Sequence, residues 1–339
     1  MIALTLATGP LSSGPVADSA SRVVNACHVS PIVENLDISA RFYHELLGLE
    51  LNPSPPPGPL PVDTDPGHLL LHGLPQARLR FIQARIPGVR CGIEIVEWTN
   101  VDRHPVHRRY QDPGSTVLVL TVRDLDRVLA TLTHAGVRPL TTGAVTPTFV
   151  DGATNAKQRA VTVQDPDGHY IELVQTDPSP DSAVAVSSNV ISIGLRLTVA
   201  DLDDAVAYYR KILGVEGRVG SFEHDSMRMA VGGLAGTTEF RTATMPIPGS
   251  SQTLQLIQFR GTDSRRAAMP SRVEDPGSYR LQLTFRDIDA TLDALRALGS
   301  RTITAGGVPV TMRFGGRPWR LAVVPDPNNL FLIVQQAPG

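Results

Sequence analysis

At 339 residues, with 31 Lys and Arg residues against 33 Asp and Glu, the chain is long enough for two domains that each bury a core, and its formal net charge is -2. Mixed charge without a basic stripe excludes nucleic acid and an anionic membrane surface as expected partners, and no apolar run approaches the length that spans a bilayer. Two cysteines, Cys27 and Cys91, are too few for a disulfide framework.

Residues 1–23 read as a flexible leader. Ile2 to Ala7 resembles a short secretory core, but it is brief and no Lys or Arg precedes it, so a cytoplasmic protein is expected over an exported one. The stretch from Cys27 to Leu51 follows, in which an extended apolar run meets Asn35-Leu36-Asp37. A helix then carries Ala40, Tyr43 and Leu47 on one face until Gly48 stops it. After the Pro-rich loop 52–67, the runs HLLLHGL (from His68), ARLRFIQARI (from Ala77) and CGIEIVEW (from Cys91) read as successive strands of a meander.

The strand-helix opening is written three more times, at Thr116–Gly136, Ile191–Gly214 and Tyr279–Gly299, so the chain divides into four units. Units one and three share a late strand pair, with Ile86-Pro87-Gly88 answering Ile247-Pro248-Gly249. Units two and four instead end in DPDGHYIELVQ from Asp165 and DPNNLFLIVQQ from Asp326. An Asp-Pro-Gly-Ser turn joins each pair, at Asp112 and at Asp275, an offset of 163 residues (275 − 112). The polar stretch 177–189 reads as a linker, which leaves one two-unit domain over 24–176 and another over 190–337.

A helix between the first two strands of a unit implies a right-handed crossover and a parallel relation, while short turns make the later strands antiparallel. One such unit leaves the concave face of its sheet wet, so units must pair to enclose a space. The expected fold is α+β: four βαβββ modules paired into two open barrels.

These residues resemble the vicinal oxygen chelate superfamily, which contains glyoxalase I, extradiol dioxygenases, methylmalonyl-CoA epimerase and the bleomycin- and fosfomycin-resistance proteins. The resemblance runs from Cys27 to Gln335, and its marks are His28 ahead of VENLDISARFYHELLGL, Glu94 in GIEIVEW and Glu172 in DPDGHYIEL. It implies a cup with up to four metal-ligand slots on its floor. In the N-terminal half those slots hold His28, Glu94, Val117 and Glu172; in the C-terminal half they hold Gly194, Gln255, Arg280 and Ile333, a set that should be metal-free. Pairing unit one with unit two gathers His28, Glu94 and Glu172, whereas pairing one with four leaves no cup with three ligands. Sequential pairing is therefore the expectation. One imidazole and two carboxylates suit a divalent Zn, Ni, Mn or Fe, with Glu94 or Glu172 doubling as catalytic base. The cost of burying two carboxylates without a cation argues the same way, although His28 and Glu172 also read as ordinary polar strand residues.

Other candidates carry less. His104 and His107 sit in a basic loop from which one would have to swing into the gap at Val117, His169 need not share a face with Glu172, His44 reads as exposed, and His68 and His72 read as strand-edge residues. Arg80 and Arg241, at matching positions, either hold an anionic substrate in the cup or face outward. Cys27 and Cys91, on what should be neighbouring strands, read as two buried thiols, with a single bridge as the alternative if the protein is exported.

Three functions follow from the resemblance: a glyoxalase-like lyase or isomerase acting on a small carbonyl or hydroxy compound, a non-catalytic binder of bleomycin-resistance type, and a ring-cleaving dioxygenase. The last departs most, because Val117 stands where a second histidine would be needed. Four units supply both cups, so a monomer suffices and a homodimer remains open.

Overall fold

The computed structural model describes residues 23–339 apart from 55–57, 90, 144–145, 151–155, 181, 235 and 251, so the expected leader lies outside it up to residue 22. In unit one, strand β1 (Val23–Val33) runs to Asn35, whose side chain accepts a hydrogen bond from Ile38 N and so caps helix α1 (Leu36–Arg41). A π-helical turn over Phe42–Leu46 continues α1, and Gly48, at φ 72°, ends it. The face predicted to pack does so: Ala40, Tyr43 and Leu47 are all buried. Units two, three and four repeat this opening with β5 (Thr116–Val122) and α3 (Leu125–His134), β9 (Val190–Thr198) and α4 (Leu202–Leu213), and β13 (Tyr279–Phe285) and α6 (Ile288–Ala297). An aspartate, Asp124, Asp201 or Asp287, caps each helix.

The return strands of unit one are β2 (Glu50–Asn52), β3 (Arg78–Arg85) and β4 (Ile93–Thr99), and those of unit two are β6 (Thr148–Val150), β7 (Lys157–Gln164) and β8 (Tyr170–Asp177). Unit three returns through β10 (Arg218–Val219), β11 (Glu239–Pro246) and β12 (Thr253–Arg260), and unit four through β14 (Val310–Phe314), β15 (Arg317–Pro325) and β16 (Phe331–Gln336). The run HLLLHGL, expected as a strand, instead places its first four residues in helix α2 (Pro66–Leu71) and the rest in the turn that ends it. Asp65 caps it through Gly67 N and Pro66 stands in its first turn, start signals that outweigh the apolar run. Helix α5 (Ser226–Val231), capped by Asp225, is its counterpart in unit three.

Among the described residues the strands form two eight-stranded sheets, in the orders β14-β15-β16-β13-β1-β4-β3-β2 and β10-β11-β12-β9-β5-β8-β7-β6. This is the expected α+β architecture of two half-barrels, but the expected sequential pairing is wrong. Unit one joins unit four through an antiparallel β1–β13 ladder with Ser30 opposite Arg280, and unit two joins unit three through β5–β9 with Val117 opposite Arg196. The 24–176 and 190–337 halves therefore each contribute one unit to each sheet.

The connections between units explain the exchange. Residues 100–115 and 261–278 carry the chain from one sheet to the other and lock onto each other where they meet. Asp112 accepts from Arg265 N, Asp275 accepts from His104 N (both 2.9 Å), and Val106 N donates to Pro276 O at 2.8 Å. The buried Arg108 guanidinium reaches across to Met269 O at 2.9 Å. The Asp-Pro-Gly-Ser turns are thus crossing points, and Gly277 is needed there twice over: its φ is 89°, and a Cβ would lie 2.1 Å from Val106 O. Gly277→Ala is accordingly expected to lose about 2 kcal/mol or more, since both backbone strain and overpacking apply; denaturant unfolding of the variant beside wild type checks this.

The DPDG and DPNN turns bind helix to sheet across the two cups. Tyr43 OH of unit one donates to Asp165 of unit two at 3.0 Å, and Tyr209 OH of unit three donates to Asp326 of unit four at 2.8 Å.

Candidate functional site

In the cup of units one and four, the floor is built from residues that alternate onto the concave face of neighbouring strands: His28 and Ser30 on β1, Glu94 on β4, Gln83 on β3, and Arg280 and Gln282 on β13. Above them rise Leu71, Leu79, Phe81, Leu321 and Ile333, with Phe314 and Trp319 from the β14–β15 hairpin. The whole encloses a cavity of about 580 Å³, within the range of small-molecule sites.

Arg280 is the central floor residue, and its relative exposure is 1 %. Its Nη2 donates to Glu94 Oε2 at 3.4 Å and its Nη1 to His72 Nε2, while Nε has no partner among the described residues. His72 Nδ1 donates to His68 O at 2.8 Å, which leaves Nε2 as the acceptor the guanidinium requires. Burial, and then the charge of Arg280, hold His72 well below the usual imidazole range, so it stays neutral. Burial also pushes Arg280 down to about 10, consistent with a charge that Glu94 compensates only at long range. His28 is likewise lowered by burial. Gly92 N donates to its Nδ1 at 3.4 Å, and the Gln83 amide and Cys27 Sγ lie 3.3 and 3.4 Å from its Nε2.

The cup of units two and three is filled. Tyr110, from the connection between units one and two, stands in it among Val117, Tyr170, Met229, Phe240, Ile257 and Phe259. At its base Arg196 grips Glu172 with two hydrogen bonds, Nη1 to Oε2 at 2.5 Å and Nη2 to Oε1 at 2.9 Å. Nε donates to Gln255 Oε1, and Tyr110 OH accepts from Nη1 at 2.9 Å and donates to Glu172 Oε2 at 3.1 Å. Burial pushes the Glu172 carboxyl up, but the guanidinium outweighs burial and leaves it below the usual range.

The three residues expected to share a metal are therefore divided. His28 and Glu94 are in the open cup, and Glu172 is in the filled one. Among the described residues no three His, Cys, Asp or Glu side chains are grouped so as to hold a metal ion. The expectation that carboxylates buried here need a cation is met, but by guanidinium groups from the other half of the chain: Arg280 for Glu94 and Arg196 for Glu172. A divalent ion does not fit among these residues, because the place facing Glu94 already holds a positive charge and His72 Nε2 is spent on that same arginine.

The remaining candidates are placed as follows. Cys27 and Cys91 form a disulfide instead of two thiols, joining β1 to the residues that lead into β4. Arg80 and Arg241 face the helices and not the cups: Arg80 pairs with Glu97 at 2.8 Å and with Asp37, and Arg241 with Asp203 at 2.9 Å. His169 Nε2 donates to Ile32 O at 2.9 Å, a structural tie between units, while His44, His104 and His107 are exposed. His68 and His72, which read as strand-edge residues, instead both line the open cup, His68 from α2, where it pairs with Asp63, and His72 from the cap that ends that helix. The sequence signal for them is Asp65-Pro66 as a helix start, followed by histidines four residues apart. Arg196 escapes the sequence reading because Gly194, two residues before it, occupies the ligand slot itself.

Residues 27–173 match the family described as the Glyoxalase/Bleomycin resistance protein/Dioxygenase superfamily. Two solved structures with similar folds are glyoxalase I from Zea mays, at 15% identity and TM-score 0.53 over 93% of this chain and 92% of that one, and a mutant of the same maize enzyme, at 14% and 0.53 over 94% of each. At that identity the likeness concerns the fold. No curated protein matches by sequence.

Proposed function

Because residues 27–173 match the glyoxalase/bleomycin resistance protein/dioxygenase superfamily, we propose that the chain is a member of it and a small-molecule-binding protein of the sequestering kind, holding its ligand in the cup of units one and four without a metal. The observation that carries this is the Arg280 guanidinium, which faces Glu94 from the floor of a 580 Å³ cavity whose upper wall is aromatic and aliphatic. Such a cup encloses an organic molecule of modest size, orients it by polar floor groups and shields it from water. The filled second cup supports the same reading, since its buried ion pair stabilises an assembly whose open half does the binding.

The rival is a lyase or isomerase working through Zn, Ni, Mn or Fe on His28 and Glu94, with a ring-cleaving dioxygenase on Fe behind it. Elemental analysis of the purified full chain separates them. Metal well below one equivalent, with ligand binding unchanged by a chelator, is the expected result; stoichiometric metal that disappears in His28→Ala overturns the proposal.

A further inference from the structure

The lining of the open cup specifies more than its size. Its formal charges cancel, with Arg85, Arg280 and Arg313 against Asp63, Asp65 and Glu94, so selection rests on which polar atoms are left for a ligand to meet. Arg85 ends β3, where its charge acts on His28, and Arg313 stands beside the β14–β15 turn, where it donates to Gly316 O. Asp65 is occupied in capping α2, and Asp63 is paired with His68.

At the centre two side-chain oxygens stand open. Glu94 directs Oε2 to Ser30 Oγ and Arg280 Nη2, both at 3.4 Å, and its Oε1 has no hydrogen-bond partner among the described residues. Gln282 donates through Nε2 to Gln335 Oε1 at 2.6 Å, and Gln335 donates on to Thr284 at 2.8 Å, which leaves Gln282 Oε1 unpaired among the described residues. Gln83 is occupied by His28: Nδ1 of that ring accepts from Gly92 N, so Nε2 carries the proton and the Gln83 amide oxygen is the group that accepts it. The central cation, Arg280, is sealed at 1 % exposure behind Glu94 and His72.

Resting on the binding function proposed above, we infer that the ligand enters the cup with an organic ammonium head, a primary amine protonated at neutral pH, carried on an aromatic or similarly flat apolar body. Its N–H donors match two open oxygens, Glu94 Oε1 and Gln282 Oε1, one of them on a carboxylate. Phe81, Phe314 and Trp319 accept the body and favour a nearby cation over an anion. A carboxylate head would instead meet those same two acceptors at the centre of the floor.

The test is calorimetric titration of the full chain with four probes sharing one ring: toluene, benzylamine, benzamide and benzoate. Benzylamine is expected to bind tightest, about tenfold or more ahead of benzoate, the scale of one charge-assisted hydrogen bond. Glu94→Gln, which keeps the shape of the floor, is expected to bring benzylamine down to the level of benzamide. Gln282→Met provides a second variant that leaves the buried ion pair intact, and it should weaken benzylamine and benzamide but not toluene. Benzoate binding as tightly as benzylamine, or Glu94→Gln leaving benzylamine unchanged, overturns the ammonium inference while the binding cup stands. Failure of all four probes, toluene included, overturns the cup itself.

Discussion

Replacing Glu172 by Leu is expected to destabilise the protein by about 3–5 kcal/mol, the usual cost of removing one partner from a buried ion pair. Arg196 would be left at 7 % exposure in a cup lined by Val117, Met229, Phe240 and Ile257, with no carboxylate to face and with Tyr110 OH deprived of its acceptor. Arg196→Met is expected to be comparably damaging, because it strands the carboxylate instead. The pair of changes Glu172→Leu and Arg196→Met should recover most of the loss, since two apolar side chains of similar volume extend the cluster already there. Chemical denaturation of the four proteins in a double-mutant cycle gives the coupling. Single and double variants losing the same stability would show that the pair is not what closes this cup.

The same pair has a pH signature. Glu172 is held below the ordinary glutamate value of 4.5 in the folded protein, so its contribution is present above that value and is lost as pH falls through the depressed folded-state value. Wild type should therefore lose stability below pH 4.5 more steeply than the double variant, and parallel acid-denaturation curves would contradict the assignment.

How far the sequence carries the reading can be seen in particular residues. The four openings are legible because each combines an apolar run, a capping Asn or Asp and an amphipathic helix, and the local physics that writes this pattern also folds it. The partner of each unit is not legible, because two sheets built from near-identical units have the same periodicity whichever way they pair. Sequential pairing follows only from gathering His28, Glu94 and Glu172 around a cation. The cost of a buried carboxylate is real, but a metal is only one of two ways to meet it. Arg280 reads in the sequence as a slot that rules out metal in the C-terminal half, whereas in the folded protein it stands beside Glu94. An arginine at a floor position is as much a statement about a neighbouring carboxylate as a histidine is about a metal. His72 is lost for a different reason: a short helix of apolar residues flanked by histidines has no length from which to read a 3.6-residue period, and only its Asp-Pro start distinguishes it from a strand.

Opening the Cys27–Cys91 bridge is the second change expected to be large, at about 4 kcal/mol for a closed loop of this length. The two cysteines are 64 residues apart, so the bridge encloses nearly all of unit one and removes freedom from the unfolded chain over α1, α2 and β3. It also acts where the sheet is least regular: the β1–β13 register slips between Ala26 and Val29, and β1 pairs with β4 only from Val29 opposite Ile93. Cys27 lies within that slip, and the bridge holds β1 beside Gly92, whose amide faces His28. A dithiol reductant should thus lower the thermal midpoint and loosen the floor of the open cup together. The Cys27→Ala/Cys91→Ala variant should start from the lower midpoint and show no response to the reductant. A reduced protein that yields two titratable thiols and yet unfolds at the wild-type midpoint would remove the bridge from any account of stability. Preserved ligand affinity in that same protein would mean that the ladder from Val29 onward suffices to set the imidazole of His28.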